Sequence, residues 1–382
     1  MTSTFTATLP SGELQIRVKR AAFPLDSLCG FASRKSNRRG FVFVSKVLGK
    51  HWPVRPSRFD ACCLEIARKI KVEQKPVLVV GMAETATGLG HGVYESLQRI
   101  HDSLNERTSL FVHGTRYRVE GVPALTFEET HSHATTHWLH MPESQKDREV
   151  LSQAKSLVIV DDEQTTGRTA LALTRSIGKW CPNLSSVTIA CLTDFISDAD
   201  REHVVEAAGM ECNFVSLLNG SYSFHPDTSY QHIDIRQTVR GSNHTKVPWN
   251  FGRLGISGTR NYEDEIIGPK SISTSEKILV LGTGEFQYPA ICYARALEKQ
   301  GHDVHFQSTT RSPLLVSGDL KSMLEFADPY GEEIENYLYN VTPDSYDRFI
   351  ILHELPELPK HFNLPQQLRA EVICVPPLSD AS

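Results

Sequence analysis

Apolar positions along the chain follow two periods. FVFVSKVL (41–48), PVLVVG (76–81), LVIVDD (157–162) and SSVTIACLTDF (185–195) are short apolar runs rich in β-branched residues, which predicts strands. RFDACCLEIARKI (58–70), Gly90 to Asn105 and Arg168 to Lys179 carry apolar residues at helical spacing. Runs apolar on both faces, separated by helices of this length, predict a parallel α/β sheet covered on both sides. Periodicity breaks over residues 220–265, which are rich in Gly, Ser, Asn and Pro and read as a linker with some packed structure of its own. A new strand–helix–strand unit follows in KILVLGTGEF, AICYARALEKQ and DVHFQSTT, with further strands in YDRFIILHEL and AEVICVPPL. The pattern thus divides into a first domain over 1–240 and a linker plus second, smaller α/β domain over 241–382. A chain of 382 residues also exceeds what one typical core accommodates.

Composition narrows the class. Hydrophobic residues make up 40% and charged residues 22%, ordinary for a globular protein. A formal net charge of -5 argues against generic nucleic-acid binding, although FASRKSNRRGFVFVSKVLGKHWPVRPS (31–57) is locally basic. Its aromatics fall in a strand pattern, so Arg38, Arg39, Lys46, Lys50 and His51 are expected to form a positive wall near an anionic substrate. No apolar stretch approaches a membrane span, and MTSTFTATLPSGELQI does not read as a secretion signal. Eight scattered cysteines without a CxxC fit a reduced, cytoplasmic protein.

The run VIVDDEQTTGRT (158–169) carries the chemistry. Two carboxylates, Asp161 and Asp162, end a buried strand, at the edge where parallel sheets take ligands. Such a pair is unfavourable unless it meets hydroxyls, a metal or a developing positive charge. Thr165, Thr166, Gly167, Arg168 and Thr169 then lead into a helix, and their hydroxyls and N–H groups suit a phosphate. A ribose 5-phosphate has both faces. The competing reading is a strand-end acid pair of another kind followed by an ordinary helix cap.

The stretch resembles the signature of type I, orotate-like phosphoribosyltransferases. That resemblance implies a parallel sheet flanked by helices and a reaction that uses phosphoribosyl pyrophosphate (PRPP) and Mg2+. It implies that Asp161 and Asp162 hold the ribose hydroxyls, stabilise the oxocarbenium-like transition state and meet Mg2+, directly or through water, while 165–169 bind the 5-phosphate. Arg168 stands where the family often has a small residue. It either caps the phosphate or begins the helix facing water. The family also needs a pyrophosphate loop after an earlier strand, and VLVVGMAETATGLG (77–90) supplies Gly81, Met82, Ala83, Glu84 and Thr85. Glu84 is unusual for phosphate contact, but is able to reach Mg2+ or the nucleophile.

Between these loops, HGTRYRVEGVPALTFEETHSHATTHWLH (113–140) holds five of the sixteen histidines. The family carries a hood over the substrate here, which makes Arg116, Glu128, His131 and His133, with Lys46 and His51, hood or acceptor candidates. The alternatives are a solvated loop and a zinc site from His131, His133, His137 and His140, although HSHATTH departs from the HxHxDH pattern. In the second domain, TTRSP (309–313), VLGTGEFQYP (280–289) and YLYNV (337–341) resemble the TRSP domain, the C-terminal partner of a phosphoribosyltransferase class associated with tellurium-resistance and stress genes. Gly282, Gly284, Glu285 and Arg311 are candidates there. Arg311 either clamps a phosphate or carboxylate or pairs with an acid such as Glu285.

The expectation is therefore a cytoplasmic pentosyltransferase, a homodimer, that transfers phosphoribosyl from PRPP to a nitrogen of a small base-like acceptor. It releases pyrophosphate and makes a nucleotide-like metabolite, with no nucleic-acid or membrane partner. The rivals are a sensor that binds PRPP or a nucleotide without turnover, and an enzyme that runs the reaction in reverse.

Overall fold

A computed structural model describes residues 3–34, 40–128, 136–230, 251–258, 266, 272–332 and 334–375. Arg38, Arg39, His131 and His133 lie outside the described residues. The chain opens with a hairpin of β1 (Ser3–Leu9) and β2 (Gly12–Ala21), a short helix α1 (Leu25–Leu28), and a second hairpin of β3 (Cys29–Ser33) and β4 (Phe41–Ser45). Then follow α2 (Pro56–Lys69), β5 (Val77–Gly81), α3 (Thr87–Ile100), β6 (Ser109–His113), and a hairpin of β7 (Ala124–Glu128) and β8 (Thr136–His140). The first unit ends with α4 (Gln145–Gln153), β9 (Ser156–Gln164), α5 (Arg168–Ile177), β10 (Ser186–Asp194), α6 (Asp198–Ala208) and β11 (Glu211–Pro226). The second unit comprises β12 (Lys277–Gly282), α7 (Tyr288–Lys299), β13 (Asp303–Ser308), β14 (Met323–Ala327), β15 (Glu335–Tyr339), β16 (Arg348–His353), α8 (Leu364–Leu368) and β17 (Glu371–Cys374).

The fold is α/β. A seven-stranded sheet runs β1-β2-β11-β10-β9-β5-β6, with β11 to β6 parallel and the β1–β2 hairpin added antiparallel to β11. Val77 to Val80 of β5 and Leu157 to Val160 of β9 are all buried, because helices cover both faces. A four-stranded parallel sheet of order β13-β12-β16-β17 forms the second unit. Helix α7 packs on that sheet and also on α2 and α3, so the apolar core is continuous between the units. No helix among the described residues is long and apolar enough to cross a membrane.

Two departures from the pattern reading concern the linker. Strand β11 extends through Pro226, because β2 pairs with it as far as Gly12, past a register shift at Asn219/Gly220. Residues 251–256 then lie along the outer edge of the first sheet, where Phe111 and Ile256 exchange both backbone hydrogen bonds (2.9 and 2.8 Å) and His113 N donates to Gly252 O (2.9 Å).

Candidate functional site

Strands β5 and β9 are parallel neighbours, with Gly81 opposite Val160, so the segments that follow them emerge side by side. The turn after β5 is tight: Met82 N donates to Val160 O (2.9 Å) and Ala86 N to Met82 O (2.8 Å), and α3 starts at Thr87. The Ala83–Glu84 peptide is cis. A Cβ on Gly90 would lie 2.5 Å from Gly81 Cα, so this turn can fold back on its strand only with glycine there.

Asp161 and Asp162 lie near the end of β9. Asp161 accepts from Asp162 N and from Gln164 Nε2, each at 3.0 Å. Asp162 accepts from the Thr85 hydroxyl at 3.1 Å, which joins the turn after β5 to the acid pair. Burial, then the Glu163 carboxylate, push the Asp162 carboxyl up to about 6. Beside it lies a small cavity lined by Cys29, Phe43, Ser45, Glu163 and Leu192.

The next segment turns into α5 through Gly167, whose φ of 69° is left-handed, and a Cβ there would meet Val204 Cγ2 at 2.9 Å. Arg168 N, the first N–H of α5, donates to the Thr166 hydroxyl at 3.5 Å, and Thr165, Thr166 and Thr169 are part-exposed beside it. Arg168 is exposed and begins the helix.

The second sheet meets this site with its own strand ends. Burial pushes the Glu84 carboxyl up, but the Lys50 ammonium outweighs it and holds Glu84 below its ordinary value. Lys50, only 2% exposed, donates to Glu84 and to Thr309 O (3.1 Å). Gln287 Nε2 donates to Glu84 O at 2.8 Å, and Gly88 N donates to Gln287 Oε1 at 3.2 Å. Glu285 accepts from the Thr115 hydroxyl and from Arg116 N, each at 2.6 Å. Arg253, 1% exposed, bridges Glu285 (3.2 Å) and Glu354 (2.6 Å).

Several expected site residues are therefore engaged with protein groups. His51 is not part of a positive wall: it is 8% exposed, and burial, then Lys50, push its imidazole down to about 3, so it is neutral. Lys46 pairs with Asp319 at 2.9 Å. Glu285 grips Arg253, the Thr115 hydroxyl and Arg116 N, so it is not the partner of Arg311. Arg311 is held instead by Asp328 (3.1 Å) and Glu332 (3.0 Å), and it donates to the Tyr117 hydroxyl. Gly282 and Gly284 are buried under Phe286 and Tyr330. Arg116 is half-buried, and Glu128 ends β7 opposite Thr136. Among the described residues no cluster of three or more His, Cys, Asp or Glu forms a metal cage. His137 and His140 are buried in β8, and His140 accepts from Val119 N at 2.9 Å.

A surface cleft of about 470 Å³ lies elsewhere, lined by Lys46, Trp52, Arg55, Arg58 and His305. Its cations are committed: Lys46 to Asp319, Arg55 to Asp303 (2.6 Å) and Arg58 to Ser27 O (2.7 Å). Pattern reading passes over Gln287, Arg253 and Thr115, whose roles depend on contacts 170 or more residues apart for Thr115 and Gln287. For Gln287 the only local signal is its place directly after GTGEF.

Comparison with known proteins gives a family. A phosphoribosyl transferase profile matches residues 28–221, and that of the TRSP domain, which lies C-terminal to this transferase, matches 256–368. No curated protein matches the chain. Among solved structures, an adenine phosphoribosyltransferase from Rhodothermus marinus aligns at 14% identity over 50% of this chain and 95% of its own, with a TM-score of 0.34. That from Giardia lamblia, complexed with 9-deazaadenine, aligns at 17% identity over 53% and 98%, with a TM-score of 0.33. That from Trypanosoma brucei, in complex with AMP, pyrophosphate and ribose-5-phosphate, aligns at 10% identity over 50% and 77%, with a TM-score of 0.34. The chain belongs to the phosphoribosyl transferase family, carries that family's C-terminal TRSP domain, and is a transferase of the pentosyltransferase class.

Proposed function

We propose that the protein transfers the 5-phosphoribosyl group of PRPP to a ring nitrogen of a small base-like acceptor. The N–C1 bond forms as the bond from C1 to pyrophosphate oxygen breaks, with inversion at C1, and the acceptor's proton leaves to solvent or a nearby base. The observation that carries this reading is the 3.1 Å link from Thr85 to Asp162, which joins two segments following adjacent parallel strands. In this reading Gly81 to Thr85 take pyrophosphate, and Thr165 to Thr169 take the 5-phosphate through backbone N–H groups and hydroxyls. Asp161 and Asp162 hold the ribose hydroxyls and stabilise the positive charge that develops on the sugar.

The residues fit Mg2+. Asp161 and Asp162 are hard oxygen donors, and Asp162 is a half-buried carboxyl whose anion is under-solvated, which a cation relieves. Two carboxylates completed by water and substrate oxygens are how this ion is usually held. When bound it neutralises charge on the pyrophosphate leaving group. The acceptor would enter beside Glu84 and Arg116. The wider reading is a cytoplasmic homodimer that makes a nucleotide-like metabolite, in the stress and tellurium-resistance setting that the TRSP resemblance implies.

Incubation with PRPP, Mg2+ and a panel of bases, with pyrophosphate release as readout, tests the reading. The double variant Asp161→Asn, Asp162→Asn is expected to abolish release while remaining folded. Release within a few-fold of the parent would sink the assignment. PRPP binding without release for any base would favour a sensor.

A further inference from the structure

The carboxyl ends of parallel strands are where open α/β sheets bind ligands. In the second sheet that edge is closed to ligands. Thr283, Thr309, His353 and Glu354 at the ends of β12, β13 and β16 are each 0% exposed. Tyr330 of the same unit fills part of the edge, its hydroxyl 3.0 Å from Thr283 O and 2.6 Å from Glu354. The rest comes from outside it, with Lys50 on Thr309 O and Thr115 and Arg116 on Glu285 from the first unit, and Arg253 on Glu354 from the segment that follows it. The turn after β12 in turn reaches into the turn after β5. Gln287 is its tip.

The side-chain amide of Gln287 is used at both ends. Its NH2 donates to Glu84 O (2.8 Å) and to Gly284 O (3.3 Å), and its Oε1 accepts from Gly88 N (3.2 Å). Two carbonyls on one side and an N–H on the other fix which way the amide faces. The Thr87 hydroxyl adds a bond to Glu285 O at 3.2 Å. Glu84 to Gly88 are thus held by a side chain about 200 residues away, at both the carbonyl that precedes Thr85 and the N–H in the first turn of α3. Gly88 allows this closeness: a Cβ there would sit 3.1 Å from Gln287 Cβ and from its Oε1. Gln287 is 5% exposed, so it is not itself placed to meet a ligand.

We propose that Gln287 is a positioning residue: through it the TRSP domain sets the backbone of residues 84–88, and with it the affinity of this loop for the pyrophosphate end of PRPP. The inference rests on the reading of 81–85 as the pyrophosphate loop. It makes the second domain part of the transferase site without any ligand of its own.

The test uses the full chain and two substitutions. Gln287→Glu keeps an acceptor for Gly88 N and loses the donor to Glu84 O and Gly284 O, and Gln287→Leu loses all three bonds. Calorimetry reads magnesium pyrophosphate and ribose 5-phosphate separately, and hydrogen exchange reads residues 82–90. Both variants are expected to weaken pyrophosphate binding, by about tenfold for Gln287→Glu, the equivalent of one hydrogen bond to the loop, and by more for Gln287→Leu. Exchange over 82–90 rises, while ribose 5-phosphate affinity and exchange over 277–282 stay at the parental level. Gln287→Glu serves where Gln287→Leu fails to fold. Unchanged exchange over 82–90, or a lower melting temperature with unchanged pyrophosphate affinity, overturns the proposal. Equal loss of both ligands also overturns it, as a general unfolding effect. If the parent binds ribose 5-phosphate but no pyrophosphate, the assignment of the loop falls and the proposal falls with it. A parent that binds neither overturns the functional reading itself.

Discussion

Replacing Asp162 by Asn tests whether the acid pair is held at an energetic disadvantage. Burial, then Glu163, raise the Asp162 carboxyl to about 6, against an ordinary value of 3.8. At about 1.4 kcal/mol per tenfold, the gap between these values amounts to roughly 3 kcal/mol. The folded-state value lies above the unfolded one, so the fold prefers the protonated acid. The penalty is absent below about pH 4, grows as pH rises towards 6 and is complete above it. Asn removes the charge and keeps an Oδ1 for the Thr85 hydroxyl that now donates at 3.1 Å. Asp162→Asn should therefore stabilise the protein at pH 8 by about 1–3 kcal/mol, the lower end allowing for residual solvation of the carboxylate. For a unit of this size each kcal/mol raises Tm by about 2–4 °C. Near pH 4 the gain should be well under about 1 kcal/mol. Thermal unfolding of both proteins at the two pH values decides it. The same Tm change at pH 4 and pH 8, or a loss of stability at pH 8, would refute the reasoning. Gain of stability with loss of pyrophosphate release is the expected combination for an acid kept for chemistry at the expense of the fold.

Gly167→Asp should abolish ribose 5-phosphate binding in calorimetry and also lower Tm, because the left-handed φ and Val204 leave no room for a side chain; unchanged affinity would move the phosphate elsewhere. Arg253→Met should cost about 3–5 kcal/mol in urea unfolding, since Glu285 and Glu354 would be left buried without their cation. Arg253→Lys should rescue little of that, because one ammonium cannot span both carboxylates as the guanidinium fork does, and full rescue would contradict the bridging geometry. Arg311→Ala should lower Tm and leave pyrophosphate release per folded molecule unchanged, given its pairs with Asp328 and Glu332; reduced release at an unchanged Tm would return Arg311 to the ligand site.

The acid pair and the threonine segment were legible because their chemistry is local: an apolar run, two carboxylates and a glycine within a dozen residues. The strands β5, β9 and β10 were legible for a related reason, since burial on both faces leaves unbroken apolar runs. Strand β2 carries a plain alternation, with Leu14, Ile16 and Val18 buried between Gln15, Arg17 and Lys19, but its partner β11 lies some 200 residues away. The last part of β11 was hidden because GSYSFHP reads as a loop. Pairing with β2 makes it a strand, and Tyr222 and Phe224 then fall on one face between the exposed Ser221 and Ser223. Arg311 and Glu285 show the harder limit. Sequence identified both as charged groups near strand ends, but which acid meets which arginine depends on how the two sheets face each other. Burial likewise made His51 neutral, and no local pattern reports burial of a histidine.

The seam along β6 has a consequence for biosynthesis. The sheet of the first unit has its outer edge covered by Gly252 and Ile256, which the ribosome makes long after His113. At roughly 5–20 residues per second, translation from His113 to Ile256 takes on the order of 10 s. Over that interval β6 presents bare N–H and C=O groups beside the buried side chains of Leu110 and Phe111, a template for pairing with any neighbouring nascent chain. The returning strap is thus a late-arriving guard, and a polysome translating this message holds many copies of the edge it has yet to close.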